Sequence, residues 1–125
     1  MYVQGFLVPV PEGSKEKYRE VAEKFWEIAK DYGALSQIEC WEDDIKDGVH
    51  TDFRRAVNLQ EGEKVVFAWM TWPDKSVADS AHEKMMADVR MQTEFGAPDG
   101  SDMPFDGKRM VIGGFRPIVQ KVAAS

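Results

Sequence analysis

Lys64-Val65-Val66-Phe67-Ala68-Trp69-Met70-Thr71-Trp72 decides the fold. The run is rich in β-branched and aromatic residues, and Pro73 follows it, so it reads as a strand. A strand with one wet side alternates apolar and polar residues. Here both alternating sets are apolar, Val65, Phe67 and Trp69 on one side and Val66, Ala68 and Met70 on the other. Both faces of this strand therefore need cover.

Downstream, Asp74 or Ser76 is placed to cap a helix, and Ser76-Val77-Ala78-Asp79 resembles a capping box with Asp in the place of Glu. Its apolar face is Ala78, Ala81, Met85 and Val89. Thr93 to Asp106 reads as a long polar loop, and Lys108 to Val119 as the last strand. That strand carries Gly113-Gly114, a pair that points to a bulge or to a close approach.

Upstream, Gln60-Glu61-Gly62-Glu63 is a turn, and Thr51 to Leu59 reads as a short strand. Ala34 to Glu42 is a further strand. From Lys15 to Tyr32 the apolar positions Tyr18, Val21, Ala22, Phe25, Ile28, Ala29 and Tyr32 follow a helical period. Ser14 stands at the N-cap of this helix and Gly33 just past its end. Tyr2 to Val10 is the first strand. The order β-α-β-(β)-β-α-β predicts an α+β fold, a ferredoxin-like split βαβ sandwich with an insertion in its central hairpin, forming one domain over residues 1–125. Two helices cover only one face of such a sheet. A second copy is the simplest cover for the other, which predicts a homodimer of the dimeric α+β barrel kind.

The chain has 43% hydrophobic residues, enough for a core, and a net charge of -6. That charge disfavours nucleic acid and anionic membrane surfaces as partners. No apolar run reaches the roughly 18 residues of a membrane span. The lone Cys40 and an N-terminus without a basic-then-apolar leader predict a cytoplasmic protein.

Four separated motifs carry a family resemblance: Glu39-Cys40-Trp41-Glu42-Asp43-Asp44, Thr51-Asp52-Phe53-Arg54-Arg55-Ala56-Val57, Val65-Val66-Phe67-Ala68-Trp69, and Met103-Pro104-Phe105-Asp106-Gly107-Lys108-Arg109-Met110 running on to Gly113-Gly114-Phe115. Together they resemble the YbaA-like family of small bacterial proteins with a domain of unknown function, over residues 2–119. The resemblance implies a dimeric α+β barrel and brings no established activity and no catalytic residue. The wider group of such barrels includes cofactor-free monooxygenases, muconolactone isomerases and haem-dependent enzymes, an analogy of fold alone.

His82 lies on the second helix beside its apolar face, where a general base or haem ligand can sit; a histidine bonded to water or a carboxylate is the plainer reading. His50 and Asp52 are two ligands where zinc wants three or four, so no metal is expected. Cys40 stands between Glu39 and Glu42, without a neighbouring base to activate a thiol, and reads as structural. Glu39, Glu42 and Asp44 with Arg54, Arg55 and Arg109 are expected to form an ion-pair network. Taken as strand residues, Arg54 and Arg55 point to opposite faces.

Two functions compete. One is a small-molecule enzyme or ligand binder, of cofactor-free monooxygenase or isomerase type, taking a small apolar ligand between sheet and helices. Its candidate pocket is Trp69, His82, Arg109 and Phe115. The other is a non-catalytic dimeric module with a filled core. No cofactor is expected in either.

Overall fold

The computed structural model describes residues 1–96 and 99–124. Among them, four strands are β1 (Tyr2–Pro11), β2 (Ser36–Trp41), β3 (Glu63–Trp72) and β4 (Val111–Phe115). Four helices are α1 (Lys15–Ala29), α2 (Phe53–Ala56), α3 (Lys75–Ala87) and α4 (Val89–Thr93). The sheet order is β2-β3-β1-β4, with every neighbouring pair antiparallel. This is the ferredoxin-like α+β fold. β1 and β3 form its spine, paired from Tyr2↔Trp72 to Pro11↔Glu63.

Local chemistry sets the ends of the elements. Ser14 precedes α1 but belongs to a 3-10 turn over Glu12–Ser14, and among the described residues its side chain makes no capping bond. α1 runs on into a 3-10 turn, Lys30–Tyr32, and stops at Gly33, whose φ of 109° suits glycine. At α3 the cap is Asp74, which accepts from the Val77 amide at 2.9 Å. The Ser76 hydroxyl donates to the same carboxylate, so Ser76 supports the cap and starts no capping box. Asp88 closes α3 with extended backbone and caps α4 through the Arg90 amide. Val89 falls beyond α3 and is exposed, leaving Ala78, Ala81 and Met85 as its buried face.

Two expected strands differ. Thr51 to Leu59 holds the short helix α2, because Asp52 accepts from the Arg55 amide at 2.8 Å. That cap supplies locally the hydrogen bond that a strand must find in a neighbour. The last strand is shorter than Lys108 to Val119. Asp106 caps a 3-10 turn over Gly107–Arg109, and Pro117 offers no amide to extend the ladder.

The double glycine sits in continuous register with β1. The ring of Phe115 lies over Gly113, where a Cβ would come within 3.2 Å of it. On the other face the Tyr2 phenol occupies the space a Gly114 Cβ would need. The close approach is thus made by two aromatic rings, one on each side.

The sheet has two unlike faces. Register places Phe6, Val8, Val66, Ala68, Met70 and Trp72 toward the helices. They bury against Ile28, Ala29, Ala78, Ala81 and Met85. The Trp72 indole N–H donates to Gln4 at 2.8 Å, so this buried ring leaves no orphaned donor. The other face carries Leu7, Ile38, Phe67, Trp69, Val111 and Phe115. The insertion between β2 and β3 reaches one end of it: Phe53 meets Phe67 edge-on at 6.0 Å, and Pro9, Val57 and Val65 are buried. Beyond the insertion the face is open, with Phe67 47% and Phe115 61% exposed.

Candidate functional site

β2 is an edge strand, and its pleat turns Gln37, Glu39 and Trp41 toward the helices opposite Met70, Ala68 and Val66. Two of these three core-facing positions are polar. α1 runs alongside and places Tyr18 over them. The Tyr18 hydroxyl donates to Glu39 Oε1 at 2.5 Å, and its ring is steadied edge-on by Phe105 at 5.8 Å. Gln37 Nε2 donates to the Ala22 carbonyl at 3.1 Å and, more weakly, to Glu39 Oε2 at 3.4 Å. Gln37 Oε1 is buried and, among the described residues, has no hydrogen-bond partner. Exchanging the amide's two ends would point oxygen at two oxygens, so the neighbours fix this orientation.

These side chains line an open groove of about 1030 Å³ between α1 and β2, with Trp26, Leu35 and Trp41 as its apolar walls. Glu39 is exposed along the groove, while the helix and sheet on its other side withdraw water from it. That desolvation holds its carboxyl above the usual range, against the opposing pull of hydrogen bonds from Tyr18 and Gln37. Burial, then the charge and hydrogen bond of Glu39, push the Tyr18 phenol far above its ordinary value. At neutral pH the phenol therefore keeps its proton and donates. Lys15 Nζ stands 5.5 Å from the centre of the Trp41 ring at the mouth.

The residues singled out from sequence do not converge on one pocket. Trp69 and Phe115 share the open sheet face, where a shallow apolar hollow of about 260 Å³ includes Phe115. His82 is exposed on α3, beyond the opposite side of the sheet. Arg109 is fully engaged as a clamp: Nη1 and Nη2 donate to Glu63 at 2.7 Å each, Nη1 also to the Asn58 carbonyl, and Nε to Asp106. It ties the approach to β4 to the insertion and the start of β3.

The expected ion-pair network divides into local sets. Glu42 accepts from the Val65 amide and lies 3.6 Å from Arg54, which also reaches Asp47. Arg55 pairs with Asp52 and donates to the Gly48 and Val49 carbonyls, bracing the insertion. Asp44 pairs with Lys46 at the surface. Glu39 and Arg109 stand outside these sets, for the reasons given by their own partners above. In α2 the arginines no longer alternate as strand residues do. Cys40 is half-buried opposite Phe67 on the open face, and His50 is exposed in the insertion. Among the described residues, no group of three or more His, Cys, Asp or Glu side chains is placed to hold a metal ion. No helix is long and apolar enough to cross a membrane, again among the described residues.

Sequence reasoning missed Tyr18 and Gln37 as site residues. The signal was there in Gln37-Ile38-Glu39-Cys40-Trp41: the polar residues share a face with a tryptophan, and that face is the one turned inward.

The family model of a protein of unknown function, DUF1428, matches residues 1–107. The chain belongs to the DUF1428 family. Among its DUF1428 relatives, the "Uncharacterized protein YbaA" of Escherichia coli K12 is 51% identical over 120 residues, covering 96% of this chain and 98% of the relative. The protein of the same name from Shigella flexneri matches to the same extent. This is the YbaA-like family to which the four sequence motifs pointed. A solved structure, an uncharacterized NIPSNAP domain protein from Burkholderia xenovorans, is similar with a TM-score of 0.59 and 17% identity, covering 98% of this chain and all of that one. At that identity the likeness speaks for the fold. The DUF1428 description carries no activity, so the roles of Tyr18, Gln37 and Glu39 rest on geometry.

Proposed function

We propose that this chain is a homodimeric small-molecule-binding protein, each subunit taking its ligand in the groove between α1 and β2. The observation that carries the reading is the groove itself. It sets a phenol–carboxylate pair against tryptophan walls, a combination of apolar surface and few convergent polar groups typical of ligand sites. The homodimer is supported by the open sheet face. Ile38, Phe67, Val111 and Phe115 are each more than two-fifths exposed on one contiguous surface, which is unusual for a soluble monomer. Packing this face on its own copy about a two-fold axis covers both at once. The groove faces the helix side and stays accessible in such a pair.

Native mass spectrometry of freshly purified protein tests both parts. The expected species has twice the 14.2 kDa chain mass, some of it carrying an added small mass. A monomer at micromolar concentration would remove the dimer. A bare dimer that also fails to bind any member of a fragment set in the groove would remove the ligand site.

A further inference from the structure

We propose that the α1–β2 groove recognises an organic ammonium ion, a protonated primary amine on a small aromatic or aliphatic body, with Glu39 as its counter-ion. The inference rests on the ligand-binding reading above and specifies its chemistry. Three observations carry it, all of them from the groove's own atoms.

First, what remains unpaired there accepts hydrogen bonds. Tyr18 and Gln37 have both spent their donors, Tyr18 on Glu39 and Gln37 on the Ala22 carbonyl and Glu39. Left over toward the groove are the remaining lone pairs of the exposed Glu39 carboxylate, while Gln37 Oε1 is buried behind them. What such a carboxylate lacks on its open side is a donor. An ammonium brings three.

Second, the charges balance in favour of a cation. Lys15, Arg19 and Lys24 line the groove together with Glu20, Glu23 and Glu27. Three basic and three acidic groups cancel, which leaves Glu39 in the floor uncompensated. The net charge of -6 attracts a cation over longer range.

Third, the groove already holds an ammonium. Lys15 Nζ sits 5.5 Å over the Trp41 ring, in the position a cation takes on an aromatic face. It stands in for the ligand's own head group. Because Lys15 is on the first turn of α1 and exposed, it is free to swing away when a ligand enters.

The test compares three probes of matched shape: 2-phenylethylammonium, neutral 2-phenylethanol and anionic 3-phenylpropionate. Binding is followed by side-chain and amide NMR shifts of the intact protein at low salt. The ammonium is expected to bind at least tenfold more tightly than either analogue and to shift the Glu39 backbone amide and the Trp41 indole. Glu39→Gln should weaken it tenfold or more. Lys15→Met, which vacates the Trp41 face, should tighten it severalfold and so reports independently of any structural cost at Glu39. Equal or tighter binding of the alcohol or the propionate, or an ammonium affinity untouched by Glu39→Gln, overturns the ammonium assignment while the groove stands. Silence from all three probes overturns the ligand site as well.

Discussion

Replacing Phe67 by alanine measures what the open sheet face is for. The ring lies mid-sheet, 5.4 Å from Trp69 and 6.0 Å from Phe53, yet it is 47% exposed. A Phe side chain offers roughly 200 Å² of surface, so about 95 Å² of this one is available to a partner. At about 25 cal/mol per Å² that is worth roughly 2.4 kcal/mol for each ring. A two-fold interface removes two rings per dimer, for a loss of about 5 kcal/mol, or roughly several thousandfold in the dissociation constant. The part already packed within the subunit adds a separate cost of about 1–2 kcal/mol to subunit stability. Sedimentation equilibrium over a wide concentration range gives the dissociation constant, and circular dichroism checks that the variant is folded. A folded variant whose dimer dissociates within tenfold of wild type would refute the claim that this face is the interface.

Arg109→Met should lower stability in urea by about 2–3 kcal/mol, since it strands the half-buried Glu63 and frees the Asn58 carbonyl; Arg109→Lys should recover only part, because an ammonium cannot bridge both Glu63 oxygens. The Asp52 carboxyl is lowered from 3.8 to about 2, first by amide hydrogen bonds from Arg55 and Gly48. A depressed folded-state pKa stabilises above the unfolded value and loses that stability as pH falls toward the folded one. Unfolding followed from pH 5 down to 2 should therefore show a loss between roughly pH 4 and 2 that Asp52→Asn flattens, and an unchanged acid profile would sink this assignment. Gly114→Ala drives a methyl into the Tyr2 phenol and should cost about 1–3 kcal/mol in thermal or urea melts, whereas Gly107→Ala, with open space around it, should cost far less.

What the sequence made legible was whatever depends on neighbours along the chain. The double apolar alternation of Lys64 to Trp72 announced a strand apolar on both faces, and β3 has one face on the helices and the other partly open. The period of Lys15 to Tyr32 gave α1, and Gly33 its end. Where a local side chain competed with a ladder, pattern reading failed. Asp52 turned an apparent strand into α2, and Asp106 shortened β4 by folding the residues before it into a turn. The site was harder still. Tyr18 and Glu39 stand 21 residues apart and meet only because the edge strand passes beneath the helix. Glu39 read as one acid among several, and Arg109 as a partner for the acids around Glu39 to Asp44, whereas its partners are Glu63 and Asp106. Trp69 and Phe115 did fall on one surface, because strand alternation fixes which side of a sheet a residue takes.

The position of β1 has a consequence in time. Of the four strands of this sheet, the one made first is an inner strand, and both of its neighbours lie far downstream. Its pairing with β3 begins at Glu63 and is complete only at Trp72, and its other edge is closed by Val111–Phe115. Throughout synthesis of everything between, Tyr2–Pro11 is a bare apolar segment with both edges unpaired, a state open to misassociation. The helix face can begin to gather once β3 exists, yet the sheet closes only when the last strand arrives. Assembly of this sheet therefore waits for β4, and loss of a few residues from β4 would leave the central strand of the fold unfinished.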